Sequence, residues 1–107
     1  MNTTFDVPGA AVFDRDGFLI NPDIWSEGLA DRIASADGLT PLNDMQFGVL
    51  HALREEFMRN GNVTALSHVC HLVGQDADCM QHLFPNPREA WRLAGLPNPG
   101  EEAKAYL

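Results

Sequence analysis

Cysteine is scarce in this chain. Only Cys70 and Cys79 are present among 107 residues, too few for the disulfide framework that supports many small secreted folds. Basic residues are also few: seven Lys and Arg stand against fifteen Asp and Glu, a formal net charge of −8 at pH 7. A field of that sign repels phosphate backbones and anionic lipid. General nucleic-acid binding and membrane attachment are therefore disfavoured, and partners with basic surfaces are favoured. No run approaches the roughly 20 apolar residues needed to span a bilayer. The start, Met1-Asn2-Thr3-Thr4-Phe5-Asp6, has neither a basic segment nor an apolar one and does not read as a secretory signal. A cytoplasmic protein is expected. Neither repeats nor a linker break the chain, so residues 1–107 are expected to form one domain.

What the chain does hold is apolar bulk, 45% of residues with six Phe and two Trp, enough for one compact core. Val12 to Ile20 reads as a β-hairpin in which Asp16-Gly17 supplies the turn. From Ile24, the spacing of Ile24, Trp25, Leu29 and Ile33 predicts a helix that Gly38 stops. Asn43 and Gln46 form a capping-box pair, flanked by Leu42 and Phe47 at the positions of a hydrophobic staple. The helix they open carries Val49, Leu50, Leu53 and Phe57 inward and leaves Arg54, Glu55, Glu56 and Arg59 for solvent. Asn60-Gly61-Asn62 ends it.

Thr64 is placed to cap a helix to Val73 with Leu66, Val69, Cys70 and Val73 inward, and Gly74-Gln75 breaks that helix. Asp76 can cap a short helix to Leu83-Phe84. Asn86-Pro87 starts a last helix that runs to Ala94 and stops at Gly95. The expected architecture is mainly α: a small helical bundle (helical body 23–94) with an N-terminal β-hairpin (12–20) and a Pro-punctuated C-terminal arm (95–107).

Several residues invite a chemical reading. Cys70 falls in an apolar stripe and reads as a buried core cysteine. Cys79 is a candidate reactive thiol near a helix start, although Asp76 and Asp78 beside it oppose thiolate formation. His68, His71, Cys79 and His82 are candidate metal ligands, but their spacing matches no standard zinc finger, and surface histidines are the plainer alternative. The two helices around Asn60-Gly61-Asn62 have helix-turn-helix spacing, yet Thr64 to Val73 contains no Arg or Lys to read DNA. Trp91 beside Arg88 and Arg92 is either a core residue or an interface anchor. No cofactor is implied.

The order of short motifs resembles one family over roughly residues 12 to 99. Asp14-x-x-Gly17-Phe18-Leu19 is similar to the Asp-x-x-Gly-Tyr-Leu turn of the DsrC/TusE sulfur-relay proteins. Trp25-Ser26-Glu27-x-Leu29-Ala30-x-x-Ile33-Ala34, then Gly38-Leu39, resembles their first helix and loop. Phe47 stands where their central helix begins with Trp, and Leu53-Arg54-Glu55-x-Phe57 resembles its end. Leu83-Phe84-Pro85 and Ala94-Gly95-Leu96-Pro97-x-Pro99 resemble their C-terminal signature. The resemblance implies a DsrC-like fold and a protein that carries sulfur as a persulfide on a cysteine near the tip of its arm, for tRNA thiolation or for dissimilatory sulfite reductase. The implied partners are sulfur-relay or sulfite-reductase-type proteins.

This chain departs where that chemistry resides. Tyr106 occupies the place of the arm cysteine, and Trp91 that of the second cysteine on the preceding helix. Ser67 and His71 replace basic residues. The expected function is thus a non-catalytic or regulatory paralogue acting by protein–protein contact through Arg88, Trp91, Arg92, Leu96, Pro97 and Tyr106. Two alternatives stand beside it: a persulfide carrier using Cys79, and a metal or redox sensor using the His/Cys cluster.

Overall fold

The computed structural model describes residues 12–60 and 66–100. Among the described residues a 3-10 turn at Pro22–Ile24 precedes five helices: α1 (Glu27–Ala36), α2 (Asp44–Asn60), α3 (Leu66–Leu72), α4 (Cys79–Leu83) and α5 (Pro87–Leu93). The mainly helical expectation holds. The expected hairpin is reduced to a turn closed by one antiparallel bridge, Phe13 to Leu19, and no named strand occurs among the described residues. The turn is held by Asp14, whose Oδ1 accepts from the Asp16 and Phe18 amides at 2.9 Å each. Gly17 adopts φ +90°, a region open to glycine at little cost. Phe18 and Leu19 are both buried. Adjacent buried residues break strict strand alternation and fit a turn pressed against helices.

Local signals placed most helix ends. Asn43 Oδ1 accepts from the Gln46 amide and Gln46 Oε1 accepts from the Asn43 amide, both at 2.8 Å, closing the capping box. Asn86 caps α5 by accepting from the Glu89 amide at 2.8 Å, with Pro87 at the first helical position. Two starts move. The first helix begins at Glu27 because the Ser26 hydroxyl accepts from the Leu29 amide, leaving Ile24 in the 3-10 turn. Asp78 rather than Asp76 precedes α4, and it makes no side-chain cap bond. The Thr64 cap and the Gly61-Asn62 stop lie outside the described residues.

The buried side chains form one cluster centred on Leu29, Ile33, Leu50, Leu53, Val69, Trp91, Leu93 and Leu96. At about 25 cal/mol per Å2 of apolar surface removed from water, this cluster is the main source of stability. Two residues of α2 expected in solvent are drawn inward. Glu56 is only 4% exposed, and it accepts from Arg59 Nη1 and from Asn60 Nδ2. Those bonds replace the water that a buried carboxylate would otherwise need. Arg54 is the other, and it organises the C-terminal region.

Candidate functional site

The root of the arm is assembled from donors on three elements, each aimed at a backbone carbonyl at the end of α5 or just after it. Trp25 donates its indole N–H to Leu93 O at 2.7 Å. Arg54, from the middle of α2, donates to Ala94 O at 2.9 Å and to Pro22 O at 3.0 Å. Trp91 donates to Pro97 O at 2.8 Å. These carbonyls are the ones a helix C-terminus leaves without intrahelical partners, or lie just past it. The Arg54 guanidinium also stacks over the Trp25 ring, 4.5 Å from its centroid. Burial lowers the Arg54 pKa, opposed by the nearby Asp23 carboxylate; an arginine nevertheless stays charged.

The hairpin turn closes the other side. Arg92 Nε donates to Gly17 O at 3.0 Å, while its Nη1 reaches Asp37 at 2.6 Å and Glu89 at 2.9 Å. Asn98 Nδ2 donates to both Asp14 Oδ2 and Asp16 Oδ2 at 3.0 Å. The first residues of the arm are therefore docked on the body. Burial alone would raise the Asp14 pKa, but its bonds from the Phe18 amide, Asn98 and the Asp16 and Gly17 amides outweigh that and hold it below the usual carboxylate value.

Tertiary packing revises several expected site residues. Cys79 does not present a free thiol: it is bonded to Cys70, their Cα atoms 5.7 Å apart. The bend at Gly74, φ +76°, ends α3 and lets the chain return so that the start of α4 lies against the end of α3. Both sulfur-bearing residues are buried, Cys70 fully and Cys79 at 2% exposure. The reading of Cys70 as a buried core cysteine holds, and its sulfur is bonded to Cys79.

The candidate metal ligands are not brought together. The Cys79 sulfur is committed to Cys70. His82 pairs with Asp78 at 3.1 Å, and His68 lies 3.9 Å from Glu56. Among the described residues no three His, Cys, Asp or Glu side chains form a metal-holding group.

Of the expected contact residues, Trp91 and Leu96 are fully buried. Trp91 makes an edge contact with Phe57 at 6.0 Å and supports the arm from inside. They are core, because the arm folds back over α5. Arg88 is exposed, and Pro97 and Arg92 are partly so. Tyr106 lies outside the described residues.

Sequence reading missed Arg54, Trp25 and the Asp37–Glu89–Arg92 group as organisers of this site. A signal existed for one of them, since Arg54 directly follows buried Leu53 on the flank of the apolar stripe. A shallow groove along α2, lined by His51, Arg54, Glu55, Met58 and Arg59, mixes charges of both signs. His51 in it bonds Glu27 at 2.7 Å. No helix among the described residues is long and apolar enough to cross a membrane.

With this geometry in view, likeness to known proteins is informative. The chain is 27% identical over 97 residues to the sulfurtransferase TusE homolog of Haemophilus influenzae, an alignment covering 82% of this chain and 88% of that protein. It is 28% identical over 95 residues to sulfurtransferase TusE of Sodalis glossinidius, covering 80% and 87%. Its fold superposes on the crystal structure of dissimilatory sulfite reductase I (DsrI) with a TM-score of 0.74 at 24% identity, covering 85% and 89% of the two chains. The solution structure of the Pyrobaculum aerophilum DsrC/gamma subunit of dissimilatory sulfite reductase gives 0.70 at 26% identity, covering 85% of each. The family profile described as "DsrC like protein" matches residues 9–101. A profile match of that extent, on a helical body whose C-terminal signature is locked to it by Trp25, Arg54 and Trp91, makes this chain a member of the DsrC-like family.

Proposed function

We propose that this protein works in a sulfur-relay or sulfite-reductase-type assembly as a non-catalytic partner, occupying the docking site of a sulfur-carrying relative without passing sulfur on. One observation carries the reading. The arm stretch Gly100 to Leu107 contains no cysteine, while the only two thiols of the chain are bonded to each other in the core. A carrier needs an accessible thiolate that can enter another protein's site. Exposed Arg88, partly exposed Pro97 and, beyond the docked root, Tyr106 are the proposed direct contacts. Trp91, Leu96 and Arg92 act by shaping the surface that bears them. The pathway served, tRNA thiolation or dissimilatory sulfur metabolism, and a cytoplasmic setting belong to the same proposal.

The test is a reconstituted transfer from a persulfide donor through a cysteine-bearing DsrC/TusE relative to its acceptor. Added in excess, this chain should slow the transfer and should itself retain no extra sulfur by mass spectrometry. Unchanged transfer, or stable persulfide on Cys79, overturns the reading.

A second reading is favoured by the disulfide itself. Disulfides are uncommon in the reducing cytoplasm unless they cycle, so Cys70–Cys79 can serve as a redox sensor. A dithiol reductant would exchange with the bond, leaving two cysteine thiols here and a disulfide on the reductant. Partner affinity that differs between the oxidised and reduced protein supports this; equal affinity removes it.

A further inference from the structure

Two carboxylates and one cation meet where α1, α5 and the hairpin turn converge. Arg92 Nη1 donates to Asp37 Oδ2 and to Glu89 Oε1, and Arg92 Nε donates to the Gly17 carbonyl. The three side chains are 21%, 27% and 12% exposed for Arg92, Asp37 and Glu89. The second Glu89 oxygen, Oε2, is buried and has no donor. A buried, unpartnered carboxylate oxygen is costly if the group is charged. The cost disappears if Oε2 carries a proton and donates it to the neighbouring Asp37.

We propose that Asp37 and Glu89 hold one proton between them, and that this shared proton latches the hairpin turn and the root of the arm to α5 through Arg92. Burial pushes Glu89 up to about 7, helped by Asp37 and opposed by Arg92. Burial would raise Asp37 too, but the bonds from Glu89 and Arg92 outweigh it and hold Asp37 below its ordinary value. The charged groups acting on Glu89 are Asp37, from the C-terminal cap of α1, and Arg92, from its own helix. What the turn presents to Arg92 is an uncharged carbonyl. The turn carboxylates Asp14 and Asp16 receive Asn98 instead. Arg54 of α2 is turned to Ala94 and Pro22, and no charged group of α2, α3 or α4 contributes at Glu89 among the described residues.

When the proton leaves, two negative groups compete for one guanidinium nitrogen, and Oε2 becomes a buried charge without a donor. The group relaxes by moving a carboxylate toward water. Arg92 then loses the geometry that holds Gly17 O, and the turn that receives Asn98 loosens from the body. The latch is closed below neutrality and open above it.

Carbon-13 NMR of the side-chain carboxyls in the full chain tests both parts. The expected result is a Glu89 midpoint near 7, with the Gly17 and Asn98 backbone amides shifting at the same midpoint. Asp37→Asn should lower the Glu89 midpoint. Glu89→Gln, which keeps a donor toward Asp37 but cannot ionise, should abolish the amide shifts near neutrality. A Glu89 midpoint near the ordinary 4.5 overturns the shared proton. A midpoint near 7 with Gly17 and Asn98 unmoved overturns the latch. The wild-type titration decides both points whether or not either variant folds.

Discussion

Trp25 and Gly95 fit against each other so closely that a side chain at position 95 would overlap the indole ring. The same indole donates to Leu93 O, and Gly95 turns the chain with φ +67°. The Ala-Gly-Leu-Pro signature is thus a backbone turn pressed under an aromatic lid, and that turn sets the direction in which the arm leaves α5.

Gly95→Ala should therefore destabilise by about 2–4 kcal/mol, combining the left-handed backbone with overpacking against Trp25. Trp25→Phe keeps most of the ring and removes the N–H, and should cost about 1–2 kcal/mol because Leu93 O loses its side-chain donor. Urea unfolding followed by circular dichroism measures both. Equal stability of Gly95→Ala and wild type would show that the turn is not constrained.

Arg54 holds two carbonyls with one planar fork, Ala94 O from the arm root and Pro22 O from the segment before α1. Lysine offers a single charged nitrogen and cannot reproduce that geometry. Arg54→Lys should lose about 2 kcal/mol of stability. Hydrogen exchange at the Gly95 and Leu96 amides should rise with it, a local effect that a change confined to the unfolded state would not produce.

The Cys70–Cys79 bond closes a short loop, with a sequence separation of 9. Loop-closure entropy for that length gives a stabilisation of about 2–3 kcal/mol. Cys79→Ser, and reduction of the wild type, should lower stability by similar amounts in denaturant titrations. Both should keep the helical content. A reductant without effect on the midpoint would show that the bond adds nothing to the fold.

Stability should pass through a maximum on the acid side of neutrality. The Glu89 pKa is raised from 4.5 to about 7 in the folded protein, so the native state binds more protons across that window. Its contribution is complete below 4.5 and is lost as pH rises through about 7. Asp14 and Asp37 are lowered from 3.8, so their contributions are present above that value and fade as pH falls below it. Unfolding midpoints measured across this range should decline on both sides. Glu89→Gln should flatten the limb between 4.5 and 7, and a limb that stays steep would assign it to another group.

The signals that could be read along the chain are those linking residues two to four positions apart. Asn43 with Gln46, the Asn86-Pro87 helix start and the Asp16-Gly17 turn each depend on the backbone path of a single turn, and each was visible as residue types at fixed spacing. The C-terminal signature was equally legible, because glycine opens the left-handed region that a helix stop uses and the prolines after Gly95 fix the backbone wherever they occur. The hairpin is shorter than its sequence implied. Its turn chemistry is sound and its arms pair at Phe13 and Leu19, but Phe18 and Leu19 are both buried, so the alternation of a longer strand is broken.

Along its length, then, this sequence determined the order of the helices, the Asn43 and Asn86 starts, the arm turn and the absence of a thiol from Gly100 to Leu107. Tertiary structure alone decided that Glu56 is buried, that Trp91 and Leu96 belong to the core, and that Cys70 and Cys79 are partners. It also decided that Arg92 reaches Gly17 across a separation of 75 residues and Trp25 reaches Leu93 across 68. The reason is that a local hydrogen bond depends on a few dihedral angles set by residue type. A long-range contact forms only after burial of apolar faces has brought distant segments together against the entropy of closing the loop between them.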